Sequence, residues 1–230
     1  VIVPYLIITA VLILLALLTT KSSLPEIKEE SETNPVSELS QQKTSIFQFP
    51  HLLFGVLTLF LYTGVEVIAA NTIISYGTYL GIPLSTAKFF TSFTLIGMLV
   101  GYIIGIITIP KYISQQKALV ISAVSGVVFA LLAILTTGVV SVMFVAMLGI
   151  SNSLMWPSIW PLAIADLGRF TKIGASFLVM AISGAALLPL LYGWLADHFN
   201  ANQAYWMVIP CYAGILWYAV KGHRSTKGEV

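Results

Sequence analysis

From Ala118 to Ala165 the chain runs for 48 residues without one charged side chain. A helix that crosses a membrane needs about 20 mostly apolar residues. The stretch is therefore two spanning helices, with Thr136, Thr137 and Gly138 as the turn that divides them. Hydrophobic residues make up 58% of the 230 and charged residues 9%, and the mean hydropathy is +0.94. This is the composition of an integral membrane protein and not of a soluble domain. A net charge of +2, with the basic residues scattered among loops, excludes a nucleic-acid footprint. The single Cys211 rules out an intramolecular disulfide, and the three dispersed histidines give no metal-ligand spacing. No nucleophile with a base, phosphate loop or intramembrane metal motif is present, so neither an enzyme nor a cofactor is expected.

The expected architecture is an all-α membrane protein. Residues 1–19 form a first span, and because the chain begins inside that apolar run it reads as the tail of something longer. Residues 20–46, rich in Lys, Glu, Ser and Gln with two prolines, are too polar to pack a core and read as a mobile linker. Residues 47–221 hold six helices, near 48–76, 86–110, 117–136, 138–164, 172–196 and 203–221, and 222–230 is a basic tail. In the second of the six, Gly97, Gly101 and Gly105 recur every four residues, a spacing that lets helix backbones approach closely. Ten of the eleven Lys and Arg residues fall on the side that carries the linker and tail, with only Lys88 opposite, which places linker and tail in the cytoplasm. The block reads as two units of three whose first helices carry the most polar interiors, a plan common in secondary transporters.

The first of those interiors holds Glu66. A charged side chain near mid-bilayer costs about 2.5–3.5 kcal/mol on insertion scales, so it faces a cavity or a partner. Substrate hydrogen bonding, proton or ion coupling, and a structural bond to a neighbouring helix are three competing readings. Tyr62, four residues earlier, shares its face; Asn71, five residues later, falls about 140° around a regular helix and does not. The second interior holds Asn152, Trp156 and Trp160 at i+4 spacing along one expected face, with Pro157 and Pro161 freeing the carbonyls of Ser153 and Pro157. Amides that bond hydroxyls, beside aromatic faces that cover C–H surface, suit a neutral polyol such as a sugar. An interfacial aromatic belt and a helix–helix hydrogen bond are the plainer readings of these residues. Pro189 marks a kink at the Ala185 carbonyl in the fifth helix, and His51 reads as an interfacial residue.

Four stretches carry a resemblance: Phe60-Leu-Tyr-Thr-Gly-Val-Glu-Val67, Ile109-Pro-Lys-Tyr-Ile-Ser-Gln-Gln-Lys-Ala-Leu119, Ser153-Leu-Met-Trp-Pro-Ser-Ile-Trp-Pro-Leu-Ala163 and Leu188-Pro-Leu-Leu-Tyr-Gly-Trp-Leu-Ala-Asp197. Together they resemble the glucose/galactose and fucose:proton symporter family of the major facilitator superfamily, in the form found in Bacteroidetes. The resemblance implies that residues 1–19 are the sixth helix of such a transporter and that the block is helices seven to twelve, its C-terminal half. It implies hexose uptake by alternating access, proton-coupling acids placed in the N-terminal half, and a bacterial inner-membrane location. Glu66 matches the family's glycine-x-glutamate-valine pattern, and Glu66, Asn71, Asn152 and Trp156 lie on helices that face its central cavity. Tyr62 and Trp160 join them as candidate sugar contacts. The implied partners are a small sugar, protons, the lipid bilayer and the N-terminal half. The loop from Gly105 to Tyr112 departs from the superfamily's Gly-x-x-x-Asp-Arg gating motif. Other functions remain open at this point: a seven-span receptor or sensor, or an exporter of a non-sugar solute on the same fold.

Overall fold

With no water to satisfy their backbones, apolar segments cross a bilayer as helices or closed barrels. The computed structural model, which describes residues 2–21 and 44–224, is helical, with no strand among those residues. The linker expected over 20–46 and the tail expected over 222–230 fall largely outside them.

The chain divides into two units. The first contributes α1, Ile2–Lys21, in which the hydroxyls of Thr9, Thr19 and Thr20 donate to the carbonyls of Tyr5, Ala16 and Leu17 at 2.8–2.9 Å. Bonded back to its own turn, each hydroxyl is satisfied inside an apolar helix.

The second unit opens with a capping box at Ser45 and Gln48 and continues as six helical rods. In α2, Pro50–Asn71 is followed after Thr72 by Ile73–Tyr79. Next come α3, Phe90–Thr108, and α4, Gln115–Leu135, the latter capped by the Ser114 hydroxyl. In α5, Gly138–Ser153 and Met155–Ile164 are joined at Leu154. A single 3₁₀ turn, Ala181–Ser183, links Thr171–Met180 to Gly184–His198 in α6. In α7, Ala201–Ala204 and a 3₁₀ turn lead into Val208–Val220. Among the described residues five helical stretches are long and apolar enough to cross a membrane: Pro50–Asn71, Leu84–Thr108, Gln115–Leu135, Gly138–Ile164 and Gly168–His198. Tyr5–Thr20 is apolar but shorter.

Glycine decides how closely the rods approach. A Cβ on Gly97, Gly101 or Gly105 of α3 would meet Ile150, Ser153 or Leu154 of α5, so the four-residue stripe is the seam along which α3 packs on α5. Gly64 of α2 lies against Leu188 of α6, and Gly184 of α6 against the Phe60 carbonyl of α2. Helix α2 thereby becomes the central rod, in contact with α5, α6 and α7.

Helices α5 and α6 are each interrupted upstream of a proline. In α5 the break falls at Leu154, next to the Ser153 carbonyl that Pro157 cannot serve, while Pro161 is carried inside the following helix. In α6 the 3₁₀ turn lies before the Ala185 carbonyl where the kink was expected, and Pro189 is carried within the helix after it. Contact with α2 accounts for the shift: the Thr63 hydroxyl reaches the Ala181 carbonyl at 3.4 Å, and Gly184 brings the backbones together immediately afterwards. His51 stands in the first turn of α2. It is fully buried, with Nε2 2.9 Å from the Ala165 carbonyl, joining the start of α2 to the end of α5.

The opposite ends of the rods are held by a buried polar network. The Tyr76 hydroxyl lies 2.6 Å from Ser141 Oγ and 3.2 Å from the Ala133 carbonyl oxygen, and it accepts from Asn202 Nδ2 at 2.9 Å. Tyr205 bonds Thr72 at 2.9 Å and packs edge-on to Tyr76 and Tyr192. Four rods thus meet around one phenol. Tyr76→Phe should destabilise the protein by about 1–3 kcal/mol, because buried partners are left unpaired. Thermal unfolding of the purified protein checks this, and an unchanged midpoint would remove Tyr76 from its place as hub.

Candidate functional site

Helix α2 runs without a break from Pro50 to Asn71, so Glu66 and Tyr62 lie one above the other. The Tyr62 hydroxyl and the Glu66 carboxyl are close enough to interact electrostatically. Tyr62 is buried and Glu66 half-buried, leaving the carboxylate open on one side. The same regular winding turns Asn71 away from this face, and it stands exposed at the end of the helix.

Helix α5 supplies the opposite wall. Trp156 meets Tyr62 edge-on at 6.4 Å between ring centres, and Trp160 stacks on Trp156 at 5.7 Å with 22° between the planes. The stack follows from i+4 spacing within Met155–Ile164. Asn152 lies across the break at Leu154 from the two indoles. It is buried at 1% exposure, and its Oδ1 accepts from the Tyr212 hydroxyl of α7 at 2.7 Å. Its Nδ2 has no partner among the described residues, which leaves a buried donor available.

The structure therefore brings together Tyr62, Glu66, Trp156 and Trp160, and ties Asn152 to them through Tyr212. The hydroxyls of Tyr212 and of Tyr102 on α3 are close enough to interact electrostatically with Glu66. Neither tyrosine stood out in the sequence. A phenol in an apolar helix reads equally well as packing, and the 60-residue separation of Asn152 and Tyr212 carries no local signal. No group of three or more His, Cys, Asp or Glu that could hold a metal occurs among the described residues.

Chemically, the cluster offers a carboxylate acceptor, phenols that both donate and accept, an amide donor and two parallel indole faces. Such a set matches a small polyol, with hydroxyls for the polar groups and C–H faces for the rings.

No family model matches the chain. Its sequence is 31% identical over 226 residues to a glucose/galactose transporter of Brucella abortus, covering 96% of this chain and 53% of that protein. It is 31% identical over 232 residues to a putative glucose/galactose transporter of Helicobacter pylori, covering 98% and 55%. An L-fucose-proton symporter of Escherichia coli is 28% identical over 221 residues, covering 94% and 50%. The chain thus spans about half the length of the relatives it matches. Among solved structures it is similar to FucP, a major facilitator superfamily transporter in the outward conformation, with a TM-score of 0.77 and 24% identity over 98% of this chain and 54% of that one. The fold is that of the major facilitator superfamily.

Proposed function

We propose that this chain, which belongs with the glucose/galactose transporters and L-fucose-proton symporters and matches their C-terminal half, is the half of a secondary active sugar transporter that contributes direct sugar contacts. The observation that carries the reading is the polar and aromatic cluster on two facing rods, set in a chain whose relatives bear sugar-transporter names. Glu66 accepts from sugar hydroxyls and Tyr62 orients the carboxylate. Trp156 and Trp160 cover the C–H face of the ring, and Asn152 donates from Nδ2. Asn71 lines the approach beyond the cluster. The sugar lies between this six-helix bundle and an N-terminal half, and alternating access opens it to each side in turn. Protons are the coupling ion, in keeping with the symporters among the relatives. The protein works in the bacterial inner membrane with the linker and tail in the cytoplasm, as the distribution of Lys and Arg supports.

Uptake of glucose, galactose and fucose by the intact protein in vesicles, with simultaneous recording of external pH, tests this. Expected is uptake of at least one hexose with alkalinisation outside. Absence of hexose uptake defeats the function; uptake without a pH change leaves sugar transport standing and removes the proton. A receptor or an exporter of another solute finds no support in the names of the relatives.

A further inference from the structure

On the linker side of the Glu66 cluster, the break in α5 opens a cavity of about 330 Å³. That volume is within the range of roughly 300–1,000 Å³ usual for small-molecule sites. The break itself provides the space: Leu154 and Pro157 form one wall, and Gly105 lets α3 pass close by on the other. Two aromatic residues, Tyr102 and Trp156, line it together with Gln115 from the first turn of α4. Gln115 is half-buried and makes no hydrogen bond among the described residues, although a partly desolvated amide gains from having one. Trp156 belongs to the central cluster and to this cavity alike, and Tyr102 interacts electrostatically with Glu66. The cavity thus shares Trp156 with the central site.

We propose that this cavity is a second hexose subsite, which a sugar occupies between leaving the Glu66 cluster and entering the cytoplasm. The proposal rests on the sugar-transport reading above. Trp156 is shared, so the ring of the sugar slides along one indole while its hydroxyls pass from Glu66 to the Gln115 amide. Tyr102 forms the facing wall and offers its hydroxyl to both positions. One continuous aromatic surface with a polar group at each end allows a solute to move on without full desolvation at any step.

The test uses the full-length protein with Gln115→Cys, in membranes open on both faces, and a water-soluble maleimide. Within this chain the native Cys211 is buried at 6% exposure, and the rate of the full-length protein without the introduced cysteine is subtracted as background. With glucose, galactose or fucose present at about ten times its half-protecting concentration, labelling should slow about tenfold, because only the unoccupied fraction reacts. Lys117→Cys, exposed on the same helix outside the cavity, should label at an unchanged rate. Protection of Gln115→Cys should persist in a Glu66→Gln background, where the central site is impaired. Equal rates for both cysteines with and without sugar overturn the subsite, as does protection that disappears with Glu66→Gln. Hexose uptake by the unsubstituted protein, measured in parallel, separates the two failures. Uptake without protection removes the subsite alone, and no uptake removes the sugar-transport reading on which it rests.

Discussion

Glu66→Gln in the whole transporter is expected to weaken sugar binding and uptake by one to two decades while the protein still folds. A hydrogen bond to a charged group is worth about 1.5–3 kcal/mol, and each 1.4 kcal/mol is a factor of ten in affinity. Glutamine keeps the shape and one carbonyl acceptor, so Tyr62 retains a partner for its hydroxyl and the packing of α2 is undisturbed. What disappears is the charge that strengthens bonds from sugar hydroxyls. Equilibrium binding and uptake are read together with thermal unfolding. Wild-type affinity and uptake would refute Glu66 as a sugar contact; a lowered unfolding midpoint with unchanged affinity would make it a structural group of α2.

The second large effect is on folding. Gly184→Ala places a Cβ into the Phe60 carbonyl and within 2.9 Å of the Thr63 hydroxyl. Backbone cannot rotate away as a side chain can, so α2 and α6 must separate. Overpacking of this kind costs about 1–3 kcal/mol, against which alanine's better helix propensity returns at most about 1 kcal/mol. A drop of several degrees in Tm and less monodisperse protein after detergent extraction are expected. Gly193→Ala, on the same helix with nothing within 4 Å of the added carbon, is the matched control and should be neutral or mildly stabilising. If the two variants melt alike, α2 and α6 do not approach as closely as described.

The helical class was legible because it rests on run length: 48 uncharged residues admit few alternatives. The glycine stripe at 97, 101 and 105 was legible for a similar reason, since one spacing on one helix states both the face and the need for a close neighbour. Glu66 stood out because a lone carboxylate is costly in its surroundings. The winding of α5 and α6 was less accessible. A proline shows which carbonyl loses its donor, but the neighbour that draws the backbone in decides where the helix yields. At Leu154 the local rule sufficed, and at Ala181–Ser183 contact with α2 prevailed. Tyr76, Tyr102 and Tyr212 were hidden by their own versatility. Their roles depend on partners such as Ser141, Glu66 and Asn152, brought near only by packing between rods. The bond of His51 was hidden for the related reason that its partner, the Ala165 carbonyl, lies 114 residues away.

Helix α7 has a consequence for biosynthesis. It is absent from the five stretches apolar enough to cross by themselves, and it carries Tyr205, Tyr212 and Tyr218, each wholly buried against the other rods. Segments leaving the translocon enter lipid according to their own hydrophobicity, and a helix with this many phenols enters poorly when it emerges alone. The phenols of Tyr205 and Tyr212 become acceptable only where α2 and α5 already offer Thr72 and Asn152 as partners. The last helix is thus a client of the earlier ones, inserted by assembly more than by partition. Damage to the middle of the chain would then appear first as a misplaced C-terminus.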